Sequence, residues 1–380
     1  MTCYHQHIAK GIICLLHLML AACNAEATEP ALLNSGQTQY DELITKTVPY
    51  PADYIQPISR SGELKTISYS TADYADGTLS PRTNQACIYL PYGYNLDTER
   101  KYNVLYLIHG HYGDYSTFLT SGNCLLRNVL DNMIANNEID PVIVVTPSYN
   151  YGQPTPNYVD ADRYCEALTQ ELLNDLMPVV ESDFRTYAES ADPEGFELSR
   201  NHRMIGGFSM GAVTTWYAFE HLLPYFRNYL PISGDCWSLG AFAGMNRPAD
   251  TARYLADIVY NSQYTDKFYI WAASGTSDSA YHETLVQIEA MAELLDVFNS
   301  RTMSFHEKDN ARHEYGPSIE YVYNALKYFY PADNNSSGLT ELSAPDKAQD
   351  TDDFSITGIR LYGDEKGIHI RNGKKLIIRQ

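Results

Sequence analysis

Five residues, Gly207-Phe208-Ser209-Met210-Gly211, constrain this chain more than any other stretch of it. They stand between a short run that reads as a strand, 203–206, and a helical pattern over 212–223. In that setting G-x-S-x-G puts a serine on a strained strand-to-helix turn. The flanking residues must be small, because a larger side chain collides with neighbouring backbone. The helix that follows would aim the Met210 backbone N–H at a developing oxyanion. Ser209 is therefore a candidate nucleophile.

The surrounding pattern predicts the scaffold. Residues 85–90, 103–108, 142–146, 203–206, 228–232, 268–273 and 302–307 read as strands. Several are near-continuous apolar runs, as expected of parallel strands buried on both faces. Helical periodicity separates them over 164–181, 212–223, 282–298 and 317–330. Strands alternating with helices imply a doubly wound, mostly parallel α/β sheet.

A serine hydroxyl needs a base, and the base needs an orienting carboxylate. In a sheet of this kind both should follow the serine, acid first, at the C-terminal ends of later strands. Asp278 follows strand 268–273, 69 residues past Ser209, and His313 follows strand 302–307, 35 residues past Asp278. Rivals fit less well: His306 lies within a strand, His282 and His221 lie in helices, and Asp309 shares the loop of His313. Strand 103–108 runs into His109-Gly110-His111, whose His111 N–H is the candidate second oxyanion donor. His-x-His at a strand end also fits a metal-dependent hydrolase, but two imidazoles do not complete a site. The expectation is no metal and no cofactor.

Composition narrows the partners. A net charge of −20 without any run of lysine or arginine makes nucleic acid an unlikely ligand. Residues 11–22 form a short apolar run after Lys10, too short to span a membrane, that fits a signal peptide. Leu20-Ala21-Ala22-Cys23 looks like a bacterial lipobox, with Cys23 the acylated residue. The expectation is export, with the membrane engaged only through that N-terminal lipid. Residues 23–60 read as a tether, 61–332 as the catalytic domain and 333–353 as an acidic linker. The alternating stretch 354–380 reads as a short β module or sorting tail, with a hairpin at Asn372-Gly373. Cys87, Cys124, Cys165 and Cys236 allow three disulfide pairings among which the sequence does not choose.

The segments IYLPYGYNLDTERKYNVLYLIHGHYGD, GGFSMGAVTTWYAF, LPISGDCW and ASGTSD, with His313, resemble carbohydrate esterase family 1 over roughly 62–331. The resemblance implies an α/β-hydrolase fold of the esterase D-like branch. It also implies Ser209, Asp278 and His313 as triad, with His111 and Met210 as oxyanion donors. Two departures stand out: His111-Tyr112 replaces smaller residues and should crowd the acyl site, and Arg312-His313-Glu314-Tyr315 replaces Gly-Gly-x-His-x-Trp. The first reading is a secreted serine esterase hydrolysing feruloyl (cinnamoyl-type) esters on plant cell-wall xylan, the substrates implied being feruloylated or acetylated xylans or their oligosaccharides. Alternatives are an acetylxylan esterase and a non-catalytic surface glycan-binding protein. Tyrosine is abundant, 32 residues against 12 Phe and 3 Trp. Tyr149 and Tyr151, in the loop carrying also Tyr158 and Tyr164, and Trp237 after strand 228–232 are the candidate substrate-stacking residues.

Overall fold

The computed structural model describes residues 43–122, 124–151 and 155–332, together with four short C-terminal strands. Residues 1–22, read above as a signal peptide, Cys23 and all but the last residue of the acidic stretch 333–353 lie outside the described residues. The main sheet is built from β1 (Ile44–Lys46), β2 (Glu63–Ala72), β3 (Pro81–Leu90), β4 (Asn103–Ile108), β5 (Val142–Pro147), β6 (Arg203–Phe208), β7 (Asn228–Ile232), β8 (Tyr269–Gly275) and β9 (Met303–Lys308). Their order is β1-β9-β8-β7-β6-β4-β5-β3-β2. Pairing is parallel from β1 to β5, while β3 is antiparallel to both β5 and β2.

Every residue of β4 to β8 is buried. Alternate side chains feed two cores: Val104, Tyr106 and Ile108 on one face of β4, Leu105 and Leu107 on the other. The first face is covered by the helical stretch Tyr158–Asp183 and the helices Met210–His221, Pro248–Tyr260 and Tyr281–Ala292. Leu126–Ala135 and Tyr315–Phe329 cover the second. The stretch expected as one helix over 164–181 is helical with a π turn at Leu172–Leu176.

Two edges depart from expectation. Residues 43–60 are not all tether. Leu43 and Tyr54 are buried, and β1 pairs in parallel with β9, Ile44 opposite Phe305. Thr47 Oγ1 donates to Glu320 Oε1 at 2.6 Å, so the folded body starts before residue 61. At the far edge β2 is a full ten-residue strand, antiparallel to β3 from Glu63↔Leu90 to Ala72↔Pro81. Its outer side chains are largely exposed, and for that reason it lacks the apolar run that marks the inner strands.

The C-terminal strands β10 (Asp353–Ser355), β11 (Arg360–Leu361), β12 (Gly367–Arg371) and β13 (Lys374–Ile378) form a separate sheet of order β11-β10-β12-β13. Arg371 pairs with Lys374, the register of the expected hairpin, whose residues Asn372 and Gly373 lie outside the described ones. Cys87, Cys124, Cys165 and Cys236 are all free and buried, so none of the three pairings forms. Burial pushes the Cys87 thiol up to about 11 and those of Cys124 and Cys236 to about 12.

Candidate active site

The serine turn is forced by backbone crowding. At Gly211 a Cβ would lie 2.2 Å from the Ile108 carbonyl oxygen, and at Gly207 one would lie 2.6 Å from that same oxygen and from Gly211. Strands β6 and β4 and the helix Met210–His221 therefore meet backbone to backbone. Ser209 takes φ 58° and ψ −117°, a conformation costing an L-residue about 1–3 kcal/mol. Its N–H donates to the Ile232 carbonyl at 2.9 Å, and Cys165 Sγ donates to the Met210 carbonyl at 3.5 Å. With these restraints the hydroxyl stands at the mouth of the turn.

Two further loops meet there. Ser277 N–H donates to Ala311 O at 3.1 Å, and Asn310 N–H to Thr276 Oγ1 at 2.9 Å, lacing the loop after β8 to the loop after β9. The lacing holds His313 Nδ1 2.7 Å from Asp278 Oδ1, while His313 Nε2 lies 2.9 Å from Ser209 Oγ. A carboxylate only accepts, so the ring proton sits on Nδ1 and Nε2 faces the serine hydroxyl as acceptor. Asp278 Oδ1 also accepts the Ala280 N–H at 2.8 Å, and its side chain is 1% exposed against 30% for His313. The rivals fall elsewhere: His306 stacks on Trp271 at 3.6 Å, and Asp309 pairs with Lys46 at 2.7 Å.

Ser209 and His313 open into a cavity of about 510 Å³, which His111 and Met210 also line. Gly110 N–H already donates to the Tyr315 hydroxyl at 2.8 Å, and the next residue of that loop, His111, lines the cavity. His109 is not in the cavity wall. It is buried, stacked on Tyr149 at 4.6 Å, with its ring nitrogens against Gly110 O (2.7 Å) and Ser148 Oγ (2.8 Å). Burial pulls its pKa down to about 4, so it is neutral and braces the loop.

The substrate-stacking candidates divide. Trp237 lines the cavity, its ring 4.6 Å from Phe242 and its Nε1–H donating to Asp235 Oδ1 at 2.7 Å. Tyr149 does not, because it faces inward onto His109 and is 1% exposed. Tyr151 does not either: it turns toward a second cleft with Arg82 over its ring at 4.8 Å. Nor does Tyr112 crowd the site as expected, since it is 89% exposed and stands at the rim. Tyr158, Phe242 and Glu283 line the cavity in their place. Burial, then repulsion from Asp235, raises the Glu283 carboxyl to about 7, and burial alone leads in lifting Asp235 to about 6.

Residues 80–324 match the esterase family model, described as "Putative esterase". The chain belongs to this esterase family. Endo-1,4-beta-xylanase Y of Acetivibrio thermocellus is 36% identical over 307 residues, which are 79% of this chain and 26% of that protein. The endo-1,4-beta-xylanase/feruloyl esterase of Xylanibacter ruminicola is 29% identical over 138 residues, 34% of this chain and 16% of that one. This esterase thus spans about a quarter or less of these relatives' lengths. Among solved structures, a serine-to-alanine mutant of the feruloyl esterase module from Clostridium thermocellum, complexed with sinapinate, is 34% identical with a TM-score of 0.65. That match covers 76% of this esterase and 94% of the module. A ferulic acid esterase of the anaerobic fungus Anaeromyces mucronatus, 19% identical with TM-score 0.54 over 75% of this chain and 96% of its own, shares the fold.

The esterase's missed cavity residues carried unequal signals. Phe242 sits in Gly240-Ala241-Phe242-Ala243-Gly244, a small-residue loop just past Trp237, and could have been suspected from that context. Glu283 had none, because an acid near the start of a helix is ordinary.

Proposed function

We propose that this chain is a serine esterase that hydrolyses feruloyl-type esters on plant cell-wall xylan or its oligosaccharides. The observation that carries the reading is the run of contacts from Asp278 through His313 to Ser209, at 2.7 and 2.9 Å, opening on a largely apolar cavity. Family membership and the sinapinate complex of the related module support the ester class.

In this reading His313 Nε2 takes the Ser209 proton as Oγ attacks the ester carbonyl. Asp278 holds the ring and stabilises the imidazolium that forms. The tetrahedral oxyanion is met by the backbone N–H groups of His111 and Met210, donors fixed before the reaction begins. His313 then protonates the departing sugar hydroxyl, leaving an acyl-serine. A water deprotonated by His313 attacks that acyl group, and the acid leaves as Ser209 regains its proton. Trp237, Phe242 and Tyr158 offer aromatic surface to a phenolic acyl group, and Asp235 keeps the indole in place.

The same reading has the enzyme exported and held at the cell surface through acylated Cys23. Mass measurement of the mature N-terminus tests this, and a chain that retains residues 1–22 overturns it. The function is tested with purified protein on methyl ferulate and on acetylated xylan side by side. Release of ferulate well above release of acetate is expected. Activity on acetyl groups alone leaves an esterase with the wrong acyl group, and inactivity on both leaves a glycan-binding protein.

A further inference from the structure

A second cleft of about 380 Å³ lies beside the cavity of Ser209. The partition between them is thin: Thr155 lines the second cleft, and its Oγ1 is 3.4 Å from Nδ1 of His111, which lines the first. Two arginines face the second cleft in a chain of net charge −20. Each guanidinium sits over a tyrosine ring, Arg82 over Tyr151 at 4.8 Å and Arg163 over Tyr164 at 4.7 Å. The two tyrosine rings meet edge to face at 6.3 Å.

This stacking decides what the cleft can take. With guanidinium covering a face of each ring, less of that aromatic surface remains for a neutral sugar. What remains is the in-plane edge of each arginine, whose N–H fork matches a carboxylate. Arg82 has a carboxylate already, Asp73. Among the described residues Arg163 makes no ion pair; it donates to the Tyr164 hydroxyl at 3.0 Å, and Asp76 is near enough to feel its charge. Asp160 also lines the cleft, but its carboxylate accepts from Asn157 Nδ2 at 2.8 Å rather than from Arg163. Among the described residues no carboxylate engages the Arg163 fork, which leaves it open to an anion.

We propose that this cleft is a glycan subsite that takes a uronic acid branch of the polysaccharide carrying the ester, with Arg163 binding its carboxylate. The proposal rests on the feruloyl-xylan reading for its substrate, but the subsite is testable without any ester. Calorimetry would follow an ester-free xylo-oligosaccharide bearing a glucuronic acid branch, and its unbranched counterpart, on wild type, Ser209→Ala, Arg163→Gln and Arg163→Lys.

The branched sugar should bind wild type and Ser209→Ala alike, about ten-fold tighter than the neutral one. The preference should weaken with salt. Arg163→Gln should erase it and Arg163→Lys restore part of it, while hydrolysis of methyl ferulate stays unchanged in both. Equal binding of the two sugars by wild type overturns the subsite. So does a preference that survives Arg163→Gln, or a loss in that variant that falls equally on both sugars. Failure of the ester reading shows differently, as wild type inert on methyl ferulate.

Discussion

The floor of the active-site cavity and its wall are held in different ways. On the floor, Ser209, Asp278 and His313 stand on turns fixed by main-chain contact: Gly207 and Gly211 pressed on Ile108, and the loops after β8 and β9 laced to each other. On the wall, Tyr158, Trp237 and Phe242 are set by side-chain packing and by one carboxylate, Asp235. A floor made of backbone keeps its geometry through many side-chain changes, whereas each wall residue can be exchanged singly. Under the proposed function, chemistry and specificity are thereby separable in this molecule.

The largest expected effects break the floor. Ser209→Ala should lower turnover of any ester by on the order of 10⁴–10⁶ while the melting temperature stays close to wild type, measured on the same preparation. Asp278→Asn should cost about 10⁴, because the wrong ring tautomer then faces the serine. Asp309→Asn should cost little. If Asp309→Asn proves the more damaging of the two, the proposed acid is misassigned.

An intermediate effect comes from the far end of the helix that carries Tyr158. The helix that begins at Tyr158 ends at Glu171, a buried carboxyl that accepts from Tyr69 at 2.5 Å and from Asn84 at 2.7 Å. Burial lifts it to about 7 from an ordinary 4.5. A raised carboxyl pKa means the fold prefers the protonated form. Its contribution is therefore full below pH 4.5 and is lost as pH rises to about 7, a change of about 3 kcal/mol. Denaturant unfolding of wild type and Glu171→Gln at pH 4.5 and pH 8 measures it. The stability difference between the two proteins should shift toward the variant at the higher pH, and a shift absent or reversed would mean Glu171 ionises freely.

The smallest effect is on the wall itself. Trp237→Ala should raise KM for methyl ferulate roughly ten-fold, with far less change for a short acetyl ester. Equal losses on the two esters would place Trp237 in support of the floor instead.

How much of this was legible in the sequence follows the same division. The buried strands announce themselves because parallel strands covered on both faces must be apolar throughout, and β4 and β7 have the expected limits. Ser209 and Asp278 were readable as candidates because each follows the end of such a strand, and His313 because it follows β9, which is only partly buried. β1 and β2 were not, since an edge strand shows one side to water and carries no continuous apolar run. Tyr149 and Tyr151 mark the limit more sharply. Both lie in one loop past β5, yet one points down onto His109 and the other out to Arg82. In a strand, alternation would have fixed those directions; in an irregular loop no period does, and composition alone cannot say which ring meets the substrate.

Of the structural features described, the four unpaired thiols have the widest practical reach. Cys87, Cys124, Cys165 and Cys236 are dispersed through the interior, and no covalent cross-link joins them. With no cross-link among these four cysteines, the described body needs no thiol oxidation between them to reach its native state. Thiol reductants in an assay or a fermentation broth would leave its melting behaviour untouched.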